Sequence, residues 1–546
     1  MKALKVLAAG LCCAAILAGN VQAQQRPSYA RPLTAAEARD LAAEIRRLSQ
    51  RSSVPDPTLR AIAERLQTSS ANPGFRTLIG LLQEKAAEAA ALRRQIGALR
   101  RQVAELADPA MRSTADAALV RANIAIAEGR LADADRQLAV LGGLRRANTE
   151  QALKAWEAGV EARAALAELQ FDFEKASTIR IAAADTELLD SSLRQWRLLR
   201  GAADALYEQA SRFRDRAALL RALDLYRNRV LPLVSKGTQP EQWAGTQNSL
   251  GIALLKLGDF DDSQAELEQA AEIFRSTFEV YRKDERPEGW AMAQMNLAVA
   301  LGALGAEYGK PGARDEAIAA YRRALEIYTR VGHPHEWAAI QGNIAIELAT
   351  TDPGTWILSD DFDPLDDSIA LFQEILTVVT REFDPQAWAS VQNNLASTLQ
   401  RRGWRHNGTR DLVEAVGLMR GSLAVTKRTE DPFIWADTQD GLGTTLNLIA
   451  ERTQSRQLVN EAIAAHRAAM EVYSPSGYPA DWAEIARHLA TALATRAKLG
   501  RSCPDARKAL ALASEATSTE RIDRRAQGSE NEELRQYGLL AEKLCK

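Results

Sequence analysis

The apolar positions of the chain carry two periodicities of different length. From Leu78 onward, Leu78, Leu82, Lys85, Ala89, Leu92, Ile96, Leu99, Val103 and Leu106 follow one another at alternating steps of four and three, the spacing of a heptad seam on a helix. Lys85 interrupts the seam with a charge. Asp108-Pro109 stops it, because the residue before a proline is pushed out of the helical region. Upstream, Leu41, Ile45 and Leu48, then Leu59, Ile62 and Leu66, form a second amphipathic stretch within 36–66, broken at Val54-Pro55-Asp56-Pro57. The pattern predicts a helical segment over 24–110. It is compatible with an intramolecular hairpin and with a coiled coil between two chains through 78–106.

The second periodicity is much longer. Trp243, Trp290, Trp337, Trp388, Trp435 and Trp482 recur at spacings of 47, 47, 51, 47 and 47. Each has Pro three residues before it (Pro240, Pro287, Pro334, Pro385, Pro432, Pro479) and Ala one residue after. Gln follows four residues later in five copies, Leu or Ile at seven, Gly or Ala at eight and Leu at eleven; Trp196 begins a degenerate seventh copy. At 100° per residue, offsets 0, 4, 7, 8 and 11 fall at about 0°, 40°, 340°, 80° and 20°, one stripe of an α-helix. Pro suits the start of that helix, helix A, since its missing N–H is not needed there. A second helix follows in each unit, as in Asp315–Tyr328 and Asn460–Tyr473. One hairpin cannot bury its apolar face, so the units must stack.

Gln294-Met295-Asn296-Leu297-Ala298 with Leu301, followed by Ala317, Tyr321 and Ala324, resembles the tetratricopeptide repeat family, in the long Asn-Leu variety seen in kinesin light chains and many bacterial scaffold proteins. The resemblance covers about 191–500 and implies an all-α, right-handed α-solenoid of helix hairpins. At 47 residues against the usual 34 for the family, it predicts longer helices and a longer loop within each repeat. Ala118–Leu141 and Ala155–Ala184 read as two shorter, weaker copies. The domain plan is therefore 1–23 leader, 24–110 helical segment, 111–190 two weak hairpins, 191–500 seven long repeats and 501–546 a terminal capping helix pair.

Residues 1–23 change the compartment. Lys2 and Lys5 precede an apolar run from Val6 to Gly19 and the small-x-small sequence Val21-Gln22-Ala23, as a cleavable signal peptide requires. Leu11 stands where lipid attachment at Cys12 needs a small residue. The expected location is the periplasm, with secretion as the alternative. Two cysteines then remain, Cys503 and Cys545, a candidate disulfide pair in an oxidising compartment. Helices at about 504–520 and 530–545, joined by a polar turn, would bring them together. A formal net charge of −2 offers no field for nucleic acid. Fourteen Lys/Arg against nine Asp/Glu in 24–110 make that arm mildly basic and leave the repeats mildly acidic.

The search for chemistry finds no phosphate loop, nucleophile elbow or paired-His motif, so no catalytic residue, metal or cofactor is expected. His333 and His335 flank Pro334 in a turn without an accompanying carboxylate pair. His406, His466 and His488 stand alone. Asp352–Asp367 holds six aspartates where the 51-residue spacing adds four positions, but it lacks the Gly and Glu of an EF-hand and reads as a solvated acidic loop rather than a calcium site. Trp243, Trp290, Trp337, Trp388, Trp435 and Trp482 are assigned to packing, and the glutamines to bonds between repeats. In the tetratricopeptide family the opposite side of helix A lines the concave groove. The resemblance carries that role to offsets 5 and 6, where Asn248, Asn296, Asn343, Asn393 and Asn394 offer amides to a protein or peptide; plain helix solubility competes with it. The family's carboxylate clamp lacks its lysines here. The functional expectation is a non-catalytic periplasmic scaffold or adaptor. The alternative is a ligand-sensing or regulatory subunit of an envelope signalling or assembly system.

Overall fold

The computed structural model describes residues 35–545 except 53, 69–74, 148–149, 187–190, 214, 351–362, 429–431, 476–477 and 521–529. The leader, and Asp352, Asp360 and Asp361 of the acidic loop, lie outside the described residues. Among the described residues every regular element is helical, and no helix is long and apolar enough to cross a membrane. The chain divides into two compact units, one ending at Ile327 and the other comprising Tyr328–Lys546. The division falls inside the repeat run.

The first unit opens with α1 (Ala35–Ser52), α2 (Asp56–Thr68) and α3 (Phe75–Ala104). Two short helices come next, α4 (Pro109–Ala127) and α5 (Leu131–Ala139). Asp108 caps α4, its side chain accepting from the N–H groups of Ala110 and Met111, which satisfies donors that the first turn leaves open. Gly129 turns the chain into α5 at φ +74°. A Cβ there would lie 2.5 Å from the Pro57 carbonyl oxygen, so the turn is pressed against the start of α2. After α5 come α6 (Glu150–Leu169) and α7 (Phe173–Ala184).

The seam on α3 resolves the choice left open by the sequence. All nine of its positions, Leu78 to Leu106, are buried within the chain, and α3 packs against α1, α2, α4 and α6. A seam already covered in cis has no apolar surface left for a second copy. Lys85 is only 2% exposed. Its ammonium sits 4.8 Å from the centre of the Phe171 ring and 2.7 Å from Glu88, so the charge that breaks the heptad is held by a ring face and a carboxylate. Burial raises Glu88 above the usual carboxylate range against the opposing pull of Lys85.

The long repeats follow as helix pairs. In the first unit these are α8 (Ser192–Phe213) with α9 (Arg216–Asp224), α10 (Pro240–Asp261) with α11 (Gln264–Thr277), and α12 (Pro287–Glu307) with α13 (Ala313–Ala324). The second unit holds α14 (Pro334–Ala349) with α15 (Pro364–Ile375), α16 (Pro385–Arg405) with α17 (Arg410–Leu423), α18 (Pro432–Thr453) with α19 (Arg456–Met470), and α20 (Pro479–Gly500) with α21 (Cys503–Glu520). All six repeated prolines are the first residue of a helix A. The helix-A elements are long, as the spacing predicts, but most turns inside a repeat are tight: in the first full copy Asp262, at φ 50°, and Ser263 suffice, whereas 350–363 separate α14 from α15. The added chain lies in the links between repeats, such as 278–286.

The last element is α22 (Glu530–Cys545). A disulfide joins Cys503 to Cys545, tying the start of α21 to the end of α22, and Ala497, Ala506 and Ala541 pack beneath it.

Candidate functional site

Helix A is buried on more sides than its stripe alone requires. Offsets 1, 7, 8 and 11 are buried in all six copies, where they meet helix B, and so is offset 3 (Thr246, Ala293, Ile340, Val391, Thr438, Ile485), which faces a neighbouring repeat. Successive A helices touch one another within each unit. Exposure is left mainly to offsets 2, 6 and 9.

The residues expected to form a peptide-binding row therefore divide. Asn248 is buried, and its Oδ1 accepts from Asn296 Nδ2 of the next repeat at 2.7 Å. Asn393 donates to Thr438 Oγ1 of the next repeat, also at 2.7 Å. Asn343 is 2% exposed, and neither atom of its amide has a hydrogen-bond partner. Asn296 and Asn394 remain half-exposed. The bonds between repeats thus come from asparagines rather than from the glutamines assigned that task. Gln294 accepts instead from Arg323 of its own repeat, at 3.4 Å.

The tryptophans also depart from simple packing. Trp337 and Trp482 are buried, but Trp243, Trp290, Trp388 and Trp435 are half-exposed. Lys236, Lys283, Arg330, Arg381 and Arg428 lie 4.6–5.7 Å from the ring centres of Trp243, Trp290, Trp337, Trp388 and Trp435. Each cation stands seven residues before its tryptophan, a register that the sequence displays and that a search confined to helix A misses. Lys236 also pairs with Glu279 at 2.7 Å, Lys283 with Glu326, and Arg428 with Glu471. These three cations are thereby shared between a ring face and a carboxylate further along the chain.

A second cluster was not anticipated. His466 and His488, which stand alone in the sequence, meet at Asp440. His466 Nδ1 lies 2.7 Å from Asp440 Oδ1, and His488 Nδ1 lies 2.7 Å from Asp440 Oδ2. The three residues come from α18, α19 and α20. Asp440 is offset 5 of one repeat and His488 is offset 6 of the next, the same two registers that Asn248 and Asn296 join in the first unit. Burial pushes the Asp440 carboxyl up, but the bonds and charges of His466 and His488 outweigh it and hold the group far below the usual carboxylate range. Burial pushes His488 down, and Asp440 more than reverses this. His466 is fully buried, and its Nε2 has no partner.

The remaining histidines are engaged elsewhere. His333 packs edge-on to Tyr328, His335 stacks on Phe383, and His406 Nε2 lies 3.0 Å from Asp363. Two of the described aspartates of the acidic loop are likewise paired. Asp363 meets Arg405 at 2.8 Å, and Asp366 meets Arg402 at 2.5 Å.

No family model matches the sequence, and no curated protein matches it. Among solved structures, Cut9-Hcn1 from the APC/C hetero-tetramer aligns at 12% identity over 84% of this chain and 91% of its own, with a TM-score of 0.34. The TPR domain of P58(IPK) aligns at 14% identity over 79% and 98%, with a TM-score of 0.22. A circular tandem repeat protein aligns at 16% identity over 84% and 96%, with a TM-score of 0.18. Likenesses this loose carry no argument. On its own register and packing, the chain is an array of tetratricopeptide-like helix hairpins.

Proposed function

We propose that this chain is a non-catalytic periplasmic scaffold or adaptor that binds a protein or peptide along the helix-A face of its repeats. The observation that supports it is the recurrence of half-exposed polar side chains at one register of helices that touch side by side: Ser249 and Asn296 in the first unit, Asn394 and His488 in the second. An extended peptide presents a backbone donor and acceptor at every residue, and an amide side chain answers both. Asn248, which is buried, serves the stack rather than the partner, whereas Asn296, though it donates to Asn248, keeps a half-exposed side chain. A homodimer through 78–106 is no part of the reading, because that seam is covered.

The leader supports export; the amino terminus of protein recovered from the periplasm should begin at Gln24. The partner site is tested by crosslinking and capture from periplasm with wild type and with Asn296→Arg and Asn394→Arg variants. The arginines should remove specific crosslinks while the helical circular dichroism is unchanged. An identical crosslink pattern in all three proteins would rule out this face. The sensor reading gains weight from the Asp440 cluster, and it predicts a small molecule or ion that changes the oligomeric state.

A further inference from the structure

We infer that Asp440, His466 and His488 form a binding site for a divalent transition-metal ion of the Zn²⁺ or Co²⁺ class. The inference begins with three departures from the repeat that converge on one point. The register of His466 is an apolar core position, filled by Phe274, Tyr321, Phe372 and Met419 in the copies before it and by Ala513 after it, all buried. The register of Asp440 carries Asn248, Met295, Gly342 and Asn393; that of His488 carries Ser249, Asn296, Asn343, Asn394 and Gly441. If a tie between repeats were all that was needed, the Asn248–Asn296 pair shows that two amides supply it. A histidine in a core aromatic position costs desolvation without return unless its nitrogen is used.

The geometry suits an ion. One ligand atom from each residue can be chosen so that all lie within 4.8 Å of one another, and three packed helices hold them. The His466 ring is pinned from below by Gly443, where a Cβ would come within 2.7 Å of it. Two imidazoles and one carboxylate are a ligand set for zinc, cobalt, nickel or iron(II) rather than for calcium or magnesium, which take oxygen. The His488 side chain is 35% exposed and that of Asp440 15%, so water reaches the site from one side and completes the coordination. With bonds of about 2.0–2.2 Å a tetrahedral ion sets its ligand atoms about 3.3–3.6 Å apart, so the present 2.7 Å separations must open by about 0.6–0.9 Å.

Two features set the affinity. The ion must displace the protons that bridge the imidazoles and the carboxylate, so binding weakens as pH falls. Coordination through His466 Nδ1 leaves its Nε2–H without a partner, whereas metal-bound imidazoles ordinarily donate that hydrogen; the missing bond lowers affinity by about tenfold to a hundredfold.

The test uses full-length mature protein, free of tag, stripped with chelator and dialysed. Co²⁺ is titrated by its visible absorption and Zn²⁺ by equilibrium dialysis. His466→Phe and His488→Asn restore residues that other repeats carry at those registers, so the fold accommodates both. Wild type should bind one ion per chain, and each variant should lose about a hundredfold or more in affinity while keeping the helical circular dichroism of the metal-free protein. No binding by wild type at about 100 µM ion would overturn the inference and leave the cluster a hydrogen-bonded tie. Equal affinity in the variants would overturn it too, by placing the ion elsewhere. Should His466→Phe fail to fold, His488→Asn, at a half-exposed position, decides alone.

Discussion

Gly251 and Gly245 lie on the same helix, α10, and replacing each by Ala separates a packing effect from a backbone one. Ala is favoured over Gly inside a helix by about 1 kcal/mol, and both substitutions collect that gain. At Gly245 the nearest atom to a new Cβ is Arg200 Nη1, at 3.5 Å, an ordinary contact; Gly245→Ala should stabilise α10 by about 0.5–1 kcal/mol. At Gly251 the same Cβ would stand 2.6 Å from Phe274 Cε1 and 2.7 Å from Cζ, where carbon contacts want about 3.5–4.0 Å. The ring must retreat by about 1 Å, and Phe274 is fully buried. Overpacking of this kind costs about 1–3 kcal/mol, so Gly251→Ala should be destabilising on balance, and the two variants should differ by about 2 kcal/mol. Since an array of repeats need not melt as one unit, the assay is native-state hydrogen exchange of the α10 amides. There the difference appears as roughly thirtyfold in exchange rate. At the equivalent register of the next repeat stands Ala298, with Tyr321 in the place of Phe274. If Gly251→Ala protects α10 as well as Gly245→Ala does, the Phe274 ring yields freely and the steric reasoning is wrong.

Asn296→Ala should cost about 1–2 kcal/mol by leaving buried Asn248 without its donor, and Asn248→Ala with Asn296→Ala together should cost less than the sum, measured as a double-mutant cycle. Lys236→Ala should lower stability by about 1 kcal/mol through loss of the Trp243 ring contact and of Glu279, with Lys236→Arg restoring most of it in thermal melts. Reduction of Cys503–Cys545 should loosen α21 and α22 by about 2–4 kcal/mol, read as new protease cleavage confined to 503–545. For pH, the His488 value is raised above its ordinary 6.5, so its contribution is full below about pH 6.5 and fades as pH rises through the folded value. Asp440 is lowered from its ordinary 3.8, so its contribution is full above about pH 3.8 and fades as pH falls toward the folded value. The metal-free second unit should therefore gain most from this cluster between about pH 4 and 6.5, and His488→Asn should flatten that part of the melting profile.

Helix A was legible because burial on several sides leaves it little freedom. Every copy repeats the same small and large residues, and Pro marks each start. The α3 seam was legible as a buried stripe but not as to its partner, since Leu92 or Ile96 buries equally well against its own chain or another. The divided roles of the asparagines were not legible. Asn248 and Asn296 are one position apart in register but belong to successive repeats, and only stacking brings offset 5 of one beside offset 6 of the next. The same holds for Asp440 and His488, and His466 joins them from a third helix. Periodicity along one helix reports which side is apolar; it does not report which two helices share an edge.

Lys85 bears on the order in which the chain acquires its structure. Its ammonium rests on Phe171, and Glu84 on the same helix reaches Arg212 at 3.1 Å. Phe171 follows the end of α3 by 67 residues and Arg212 by 108, so neither partner exists when α3 has just been made. A chain threaded amino terminus first presents an apolar helix whose cation has Glu88 beside it but not the ring face that later covers it. The 24–110 segment is thus no autonomous folding unit but a bookmark, held open until α6, α7 and α8 arrive to close upon it. A fragment ending near residue 110 should aggregate or be degraded, whereas one extending past Arg212 should hold its shape.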